Sequence, residues 1–244
     1  MNATQTLRVA EVTSASSLAG ASELYRRVFG YTKPEATLNP RLLLAMAANG
    51  GCMVGAWDDD ETMVGFGYGF TGCSQDQTYF YSQAVVVSDG LQGTGVGRRL
   101  KYEQRRLALA KGLHHMRWAY NPILARNAHF NLAVIGAVGR WFAPNCYGDG
   151  ESRLIVDWDL DAPSPAHPVQ GWQRCYPADE WGWADRRGDI AQVPLPAERS
   201  LADDVTVRRL DESLASLMSD GMVARNCRRQ DERTAVYVFE RCPR

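Results

Sequence analysis

The stretch from Ala84 to Leu100 constrains this chain most: an apolar run breaks into glycines at Gly90, Gly93, Gly95 and Gly97, then continues as a charged segment. The order reads as strand, loop, helix. Where a strand hands over to a helix, the first helical N–H groups lack partners and point outward, so a backbone stripped of side chains can wrap an anion there. Arg98 and Arg99 fall in the first helical turn, where cations oppose the helix dipole unless a negative ligand offsets them. The make-up of the turn therefore points to a phosphate.

Composition narrows the setting. With 45% hydrophobic and 23% charged residues over 244 positions, the chain has ordinary globular make-up and can bury a full core. Lys and Arg, 27 together, balance 28 Asp and Glu, so there is no basic field and a nucleic-acid partner is not expected. Met1 to Glu11 carries no apolar core behind a basic start, and no run approaches the roughly 18–20 apolar residues of a membrane span. A cytoplasmic protein without a membrane partner is expected. Cys52, Cys73, Cys146, Cys175, Cys227 and Cys242 form no CxxC pair, which suits reduced core thiols better than disulfides, and no metal is expected.

Periodicity orders the rest. Leu7 to Val12 reads as a strand, and Leu18, Ala21, Tyr25 and Val28 recur at helical spacing up to Gly30. Asn39-Pro40 starts a second helix and Asn49-Gly50-Gly51 stops it. Met53 to Trp57 and Thr62 to Phe70 flank the acidic turn Asp58 to Glu61 as a hairpin. In its second strand Phe66, Tyr68 and Phe70 alternate with Gly65, Gly67 and Gly69, which leaves one face bare for a packed helix or a ligand groove. Tyr79 to Val87 is the next strand, followed by the glycine loop and a helix to about Lys111. In that helix Val96, Leu100 and Leu107 make a core stripe and Glu103 interrupts it, either paired with an arginine, reaching to an edge, or catalytic. His114 to Tyr120 is a fifth strand, about Ala125 to Phe142 a helical segment, and Leu154 to Leu160 a strand. From Asp161 to Arg199, Pro163, Pro165, Pro168, Pro177, Pro194 and Pro196 break regular structure while Trp172, Trp181 and Trp183 oppose disorder, which predicts an irregular packed strap. A helix over Asp203 to Met218 and a hairpin from Met222–Ala224 and Ala235–Phe239 close the chain.

Spacing separates the ligands of the loop. A P-loop requires Lys and then Ser or Thr after its last glycine, where this chain has Arg98-Arg99. A dinucleotide fold requires GxGxxG with repeated βαβ units, where this chain has GxGxG behind an antiparallel hairpin. A loop without a ligand carries the backbone-entropy cost of three glycines to no end. Gln92-Gly93-Thr94-Gly95-Val96-Gly97 resembles the Q/R-x-x-G-x-G/A signature of the GNAT N-acetyltransferase superfamily, at the end of a strand and opening a long helix. The element order over about residues 5–160 resembles that family as well. Trp118 to Pro122, Asn127 to Asn131 and Ile135 to Ala137 are similar to a bacterial branch of predicted GNAT enzymes with a C-terminal extension.

The resemblance implies an α+β fold, a mixed and mostly antiparallel central sheet flanked by helices. It places an acyl-CoA-binding domain over 1–160 and an extension of strap, helix and hairpin over 161–244. It implies acetyl-CoA, or another acyl-CoA, as donor. The backbone of Val85, Val86 and Val87 would pair with the pantetheine arm, and Gln92, Gly93, Thr94, Gly95, Val96, Gly97 and Arg98 would take the pyrophosphate. Asn127 matches the asparagine that such enzymes place near the cofactor, with a helix N-cap as the other reading.

The implied reaction is attack of an amine on the thioester carbonyl, which requires orientation, proton removal and oxyanion stabilisation. The chain departs from the family where a tyrosine usually serves as acid, since Leu132-Ala133-Val134-Ile135 stands there, and Tyr79, Tyr81 and Gln83 stand where some relatives carry a glutamate. Tyr120 and His129 are the catalytic candidates, each with a structural alternative. Two functions compete: an N-acyltransferase acting on a small-molecule or protein amine, and a non-catalytic acyl-CoA-binding or regulatory module. The extension covers the acceptor side, contacts a second copy in a homodimer, or completes the sheet.

Overall fold

The structure is a computed structural model that describes residues 7–32, 37–74, 77–162 and 169–242. The chain divides into two compact units, Met1–Trp118 and Ala119–Arg244. Each follows from its own pattern of residues.

In the first unit the strands are β1 (Arg8–Glu11), β2 (Cys52–Trp57), β3 (Met63–Ser74), β4 (Gln77–Val87) and the start of β5 (His115–Tyr120), lying side by side in that order. Helix α1 (Ala15–Phe29) is capped by Ser14 and ends at Gly30, whose φ of 66° is the left-handed turn that the sequence reserved a glycine for. Helix α2 (Pro40–Ala48) starts as expected, with the Asn39 side chain accepting from the Arg41 and Leu42 amides. Leu18, Ala21 and Leu24 of α1 and Leu43 of α2 bury against Met53, Phe66 and Val86 on one face of this sheet.

The opposite face receives α3 (Val96–Ala110). A side chain at Gly65 would stand 3.0 Å from Leu100 and 3.1 Å from Val96, so the bare face is where a helix packs, and Gly69 instead makes room for the Tyr81 carbonyl and the Phe80 ring within the sheet. Glu103, the charge in the stripe of α3, pairs with Arg106 at 2.7 Å. The acidic turn is self-contained: the Asp58 carboxylate accepts from the Asp60 and Thr62 amides, and Glu61 meets Arg8 at 2.6 Å.

In the second unit β7 (Arg153–Asp159), β6 (Val138–Ala143), β10 (Met222–Arg229), β11 (Thr234–Arg241), β9 (Ile190–Pro196) and β8 (Asp185–Arg187) lie in that order. Among the described pairings within each unit, β4–β5 is parallel and the others are antiparallel. Helix α4 (Ala125–His129) runs into one π turn, Phe130–Val134, and α5 (Asp204–Ser219) packs Leu210, Leu214 and Leu217 inward.

Three expectations are corrected here. The helical segment stops at Gly136, φ 82°, and residues 138–143 form β6 rather than its continuation, because Val138, Trp141 and Phe142 suit a strand. The strap is less irregular than its prolines suggest, since it contains β8 and β9. Ala197 donates its N–H to the Arg233 carbonyl at 2.7 Å, so odd-numbered residues of β9 aim their amides at β11. Pro194 and Pro196 therefore face the other side, past the end of β8, where no ladder bond is lost. Pro163, Pro165 and Pro168 lie outside the described residues. Of the six thiols, all free, only Cys52 and Cys227 are core groups, while Cys73 and Cys175 are exposed. Among the described residues no helix is long and apolar enough to cross a membrane.

Candidate functional site

β4 delivers Val85, Val86 and Val87 to the glycine loop. Its near side pairs with β3 through Val87, but its parallel pairing with β5 is confined to Phe80–Met116 and Tyr81–Arg117. Beyond Tyr81 the β5-facing edge of β4 has no strand among the described pairings of this unit, so its backbone groups, apart from the Val87 carbonyl that Gln92 occupies, are open to an extended ligand. Val86 buries its side chain toward α1, and what Val85 to Val87 offer outward is backbone.

The loop that follows is braced from within. The Ser88 amide donates to the Val64 carbonyl, and Asp89–Leu91 make a single 3-10 turn. Gln92 donates its side-chain amide to the Val87 carbonyl at 3.3 Å and to Asp89 at 3.0 Å, and Thr94 donates its hydroxyl to the Leu91 carbonyl at 2.7 Å. These two motif residues hold the loop's shape. Gly93 and Gly95 take φ of 84° and 95°, which other residues adopt only at a cost.

Gly95 is the N-cap of α3 and supplies no capping side chain, in contrast to Ser14, Asn39 and Asp203 on α1, α2 and α5. The first bond into the helix is from the Arg99 amide to the Gly95 carbonyl, 3.0 Å, which leaves the Val96, Gly97 and Arg98 amides without intrahelical acceptors. Nothing lies within 4 Å of where a Gly95 side chain would stand, so the approach is clear. Arg99 is tied to the Leu7 carbonyl at 2.5 Å, whereas Arg98 is exposed with its guanidinium 5.3 Å from the Tyr102 ring. The N-terminus of α3 thus combines outward amides, the positive end of the dipole and two exposed arginines, of which Arg99 is tied to Leu7.

The other candidates belong to the second unit. The Tyr120 hydroxyl lies 3.3 Å from that of Tyr237, which donates to the Pro122 carbonyl at 2.8 Å. Burial pushes both phenols up, so both stay neutral at any physiological pH. Asn127 sits three positions past the N-cap Leu124, inside the first turn of α4, and is not the cap of that helix. His129 Nδ1 is 2.8 Å from the Cys227 carbonyl. A carbonyl only accepts, so this contact puts a proton on Nδ1, and in the neutral ring the lone pair lies on Nε2. The ring borders a cavity of about 360 Å³ among α4, Ala197 and Glu198 just past β9, β10 and β11.

Three polar residues escaped the sequence reading. Ser82, Lys101 and Gln104 are buried together between β4 and α3. The signal was present in Gln104, which continues the Val96, Leu100 stripe at the next i+4 step, but the eye falls on the charged Glu103 beside it.

No family model and no curated protein sequence matches the chain. Solved structures do. An acetyltransferase assigned to the GNAT family from Desulfovibrio desulfuricans superposes with a TM-score of 0.54 at 17% identity, over 64% of this chain and 99% of its own. The ribosomal-protein-S5-alanine acetyltransferase of Vibrio fischeri gives 0.53 at 17% identity, over 65% and 96%. A Salmonella typhimurium protein described as an acetyltransferase, solved with its cofactor acetyl-CoA, gives 0.51 at 18%, over 67% and 98%. The fold is that of the GNAT acetyltransferases.

Proposed function

We propose that this chain is an acetyl-CoA-dependent N-acyltransferase acting on an amine. One observation carries the reading: the strand edge left open at Val85–Val87 runs directly into an uncapped helix N-terminus behind Gly93 and Gly95. Those two features fit the two halves of coenzyme A, an extended amide-bearing arm and a pyrophosphate. When bound, acetyl-CoA supplies the thioester whose acyl group is transferred.

The chain's own residues supply the rest. The β4 edge aligns the arm by backbone pairing, while the Val96, Gly97 and Arg98 amides and the Arg98 guanidinium hold the pyrophosphate. His129 Nε2, its ring fixed by the Cys227 carbonyl, is the group we assign to proton removal, and the adjoining cavity is of a size for a small amine. Tyr120 serves as a neutral hydrogen-bonding group, since its buried pairing with Tyr237 opposes ionisation. Asn127 is kept as a cofactor-side residue of α4. Functionally, residues 1–160 form the acyl-CoA-binding domain and 161–244 its extension; the solved neighbours match about two thirds of the chain. Six free thiols support a reducing, cytoplasmic setting.

The second reading, a non-catalytic acyl-CoA-binding module, is favoured by Leu132 to Ile135, where no tyrosine stands to protonate a departing thiolate. Titration calorimetry with acetyl-CoA, then thiol release with a panel of amines, separates the two. Binding with turnover supports the enzyme, binding without turnover supports the module, and no binding of any CoA ester removes both.

A further inference from the structure

α3 meets β4 at a polar contact deep in the first unit. Ser82, Lys101 and Gln104 are 2%, 3% and 0% exposed. Lys101 Nζ donates to Ser82 Oγ at 2.9 Å, and Ser82 donates onward to Gln104 Oε1 at 2.9 Å. The Lys101 nitrogen lies 3.7 Å from the centroid of the Trp118 ring. Burial alone drives the amine well below its ordinary range, with no charged partner contributing, and the Gln104 side-chain nitrogen has no acceptor among the described residues. A cluster this costly in a core is kept for what it specifies.

The strand register shows what that is. Val85 lies opposite Gly67 and Ala84 opposite Tyr68, yet Ser82 lies opposite Gly69, so Gln83 is the extra residue of a bulge. In a regular strand Ser82 would share a face with Ala84 and oppose Val85. The bulge instead brings Ser82 onto the face of Gly67 and Val85, where Gln104 packs close to Gly67 and bonds Ser82. Closing the bulge would put Ser82 on the face of Ala84 and Val86, toward α1, and break both hydrogen bonds.

We propose that Ser82, Lys101 and Gln104 form a polar lock on the Gln83 bulge, which makes Lys101 a positioning residue for the donor's thioester arm along Val85–Val87. The inference rests on the acyl-CoA reading above. The bulge separates the part of β4 paired to β5, Phe80 and Tyr81, from the part whose edge is open. Backbone groups alternate sides along a strand, so a slip of one residue exchanges the amides that face the open edge for those that face β3. The same helix presents the loop amides, and the lock therefore fixes strand edge and loop relative to one another within this unit.

The test is acetyl-CoA titration of the wild type, Lys101→Met, Ser82→Ala and the double variant, with thermal melts and hydrogen exchange over residues 82–87. Lys101→Met should keep or raise the melting temperature, because an apolar side chain of similar length replaces a buried amine. Both single variants should bind acetyl-CoA about tenfold more weakly, and the double variant no worse than either, since all remove one network. The amides past the bulge should exchange faster. Folded variants that bind within about twofold of the wild type overturn the lock, as does weakened binding with unchanged exchange. A wild type that binds no CoA ester overturns the donor reading itself, and the positioning role with it, before any variant is measured.

Discussion

Gly95 carries two requirements that separate cleanly. Its φ of 95° excludes an ordinary side chain on conformational grounds, while the space above it is open, so Gly95→Ala should cost only about 1 kcal/mol of stability by denaturant unfolding. Its effect on the donor should be larger than on the fold, because the methyl group intrudes on the approach to the α3 amides; undiminished acetyl-CoA affinity would argue against that anion site. Lys101 makes a prediction of a different kind. Its folded-state pKa lies below the unfolded value, so between the two the unfolded chain holds a proton that the native chain lacks. Stability must then rise with pH across that interval, by at most about 1.4 kcal/mol per pH unit for one proton. Melts of the wild type and Lys101→Met between neutral pH and pH 10 should converge as pH rises, and parallel curves would show that Lys101 keeps its charge when buried.

Elements were legible wherever a local signal and a burial pattern agreed. Ser14, Asn39, Gly30 and Gly221 mark the helix ends where side-chain caps or left-handed turns place them. The glycine loop was equally readable, because spacing and flanking elements determine it together. β6 and β9 were not: Val138 to Phe142 follows a helical stretch without a long break, and the prolines of β9 are tolerated only because of which way their neighbours' amides point, a fact of pairing rather than of sequence. Gln83 was invisible for the same reason, since a bulge is a relation between two strands. The bare face of β3 offers the element-level test. Gly65→Val would press a branched side chain against Leu100 and Val96 and should cost about 1–3 kcal/mol through α3. An unchanged unfolding midpoint would mean that α3 rides higher on the sheet than the 3.0 Å approach allows.

For the molecule as a whole, a ligand that binds only the native state raises its stability by mass action. Acetyl-CoA at about a hundred times its dissociation constant should add ~2.7 kcal/mol and a matching rise in melting temperature, and desulfo-analogues that keep the pyrophosphate should retain most of it. Loss of the shift on removing the pyrophosphate, with the pantetheine arm intact, would rank the loop above the strand edge as the source of affinity. The second unit adds a constraint of its own. β8 is three residues long, made of Asp185, Arg186 and Arg187, and beyond it β9 turns two prolines to the same side. A foreign strand arriving there would find charges in place of apolar side chains and, at Pro194 and Pro196, nothing to donate. That margin is closed to templated growth, so chains crowded together at high concentration have no ladder to extend from it, and any pairing of two copies must use another part of the surface.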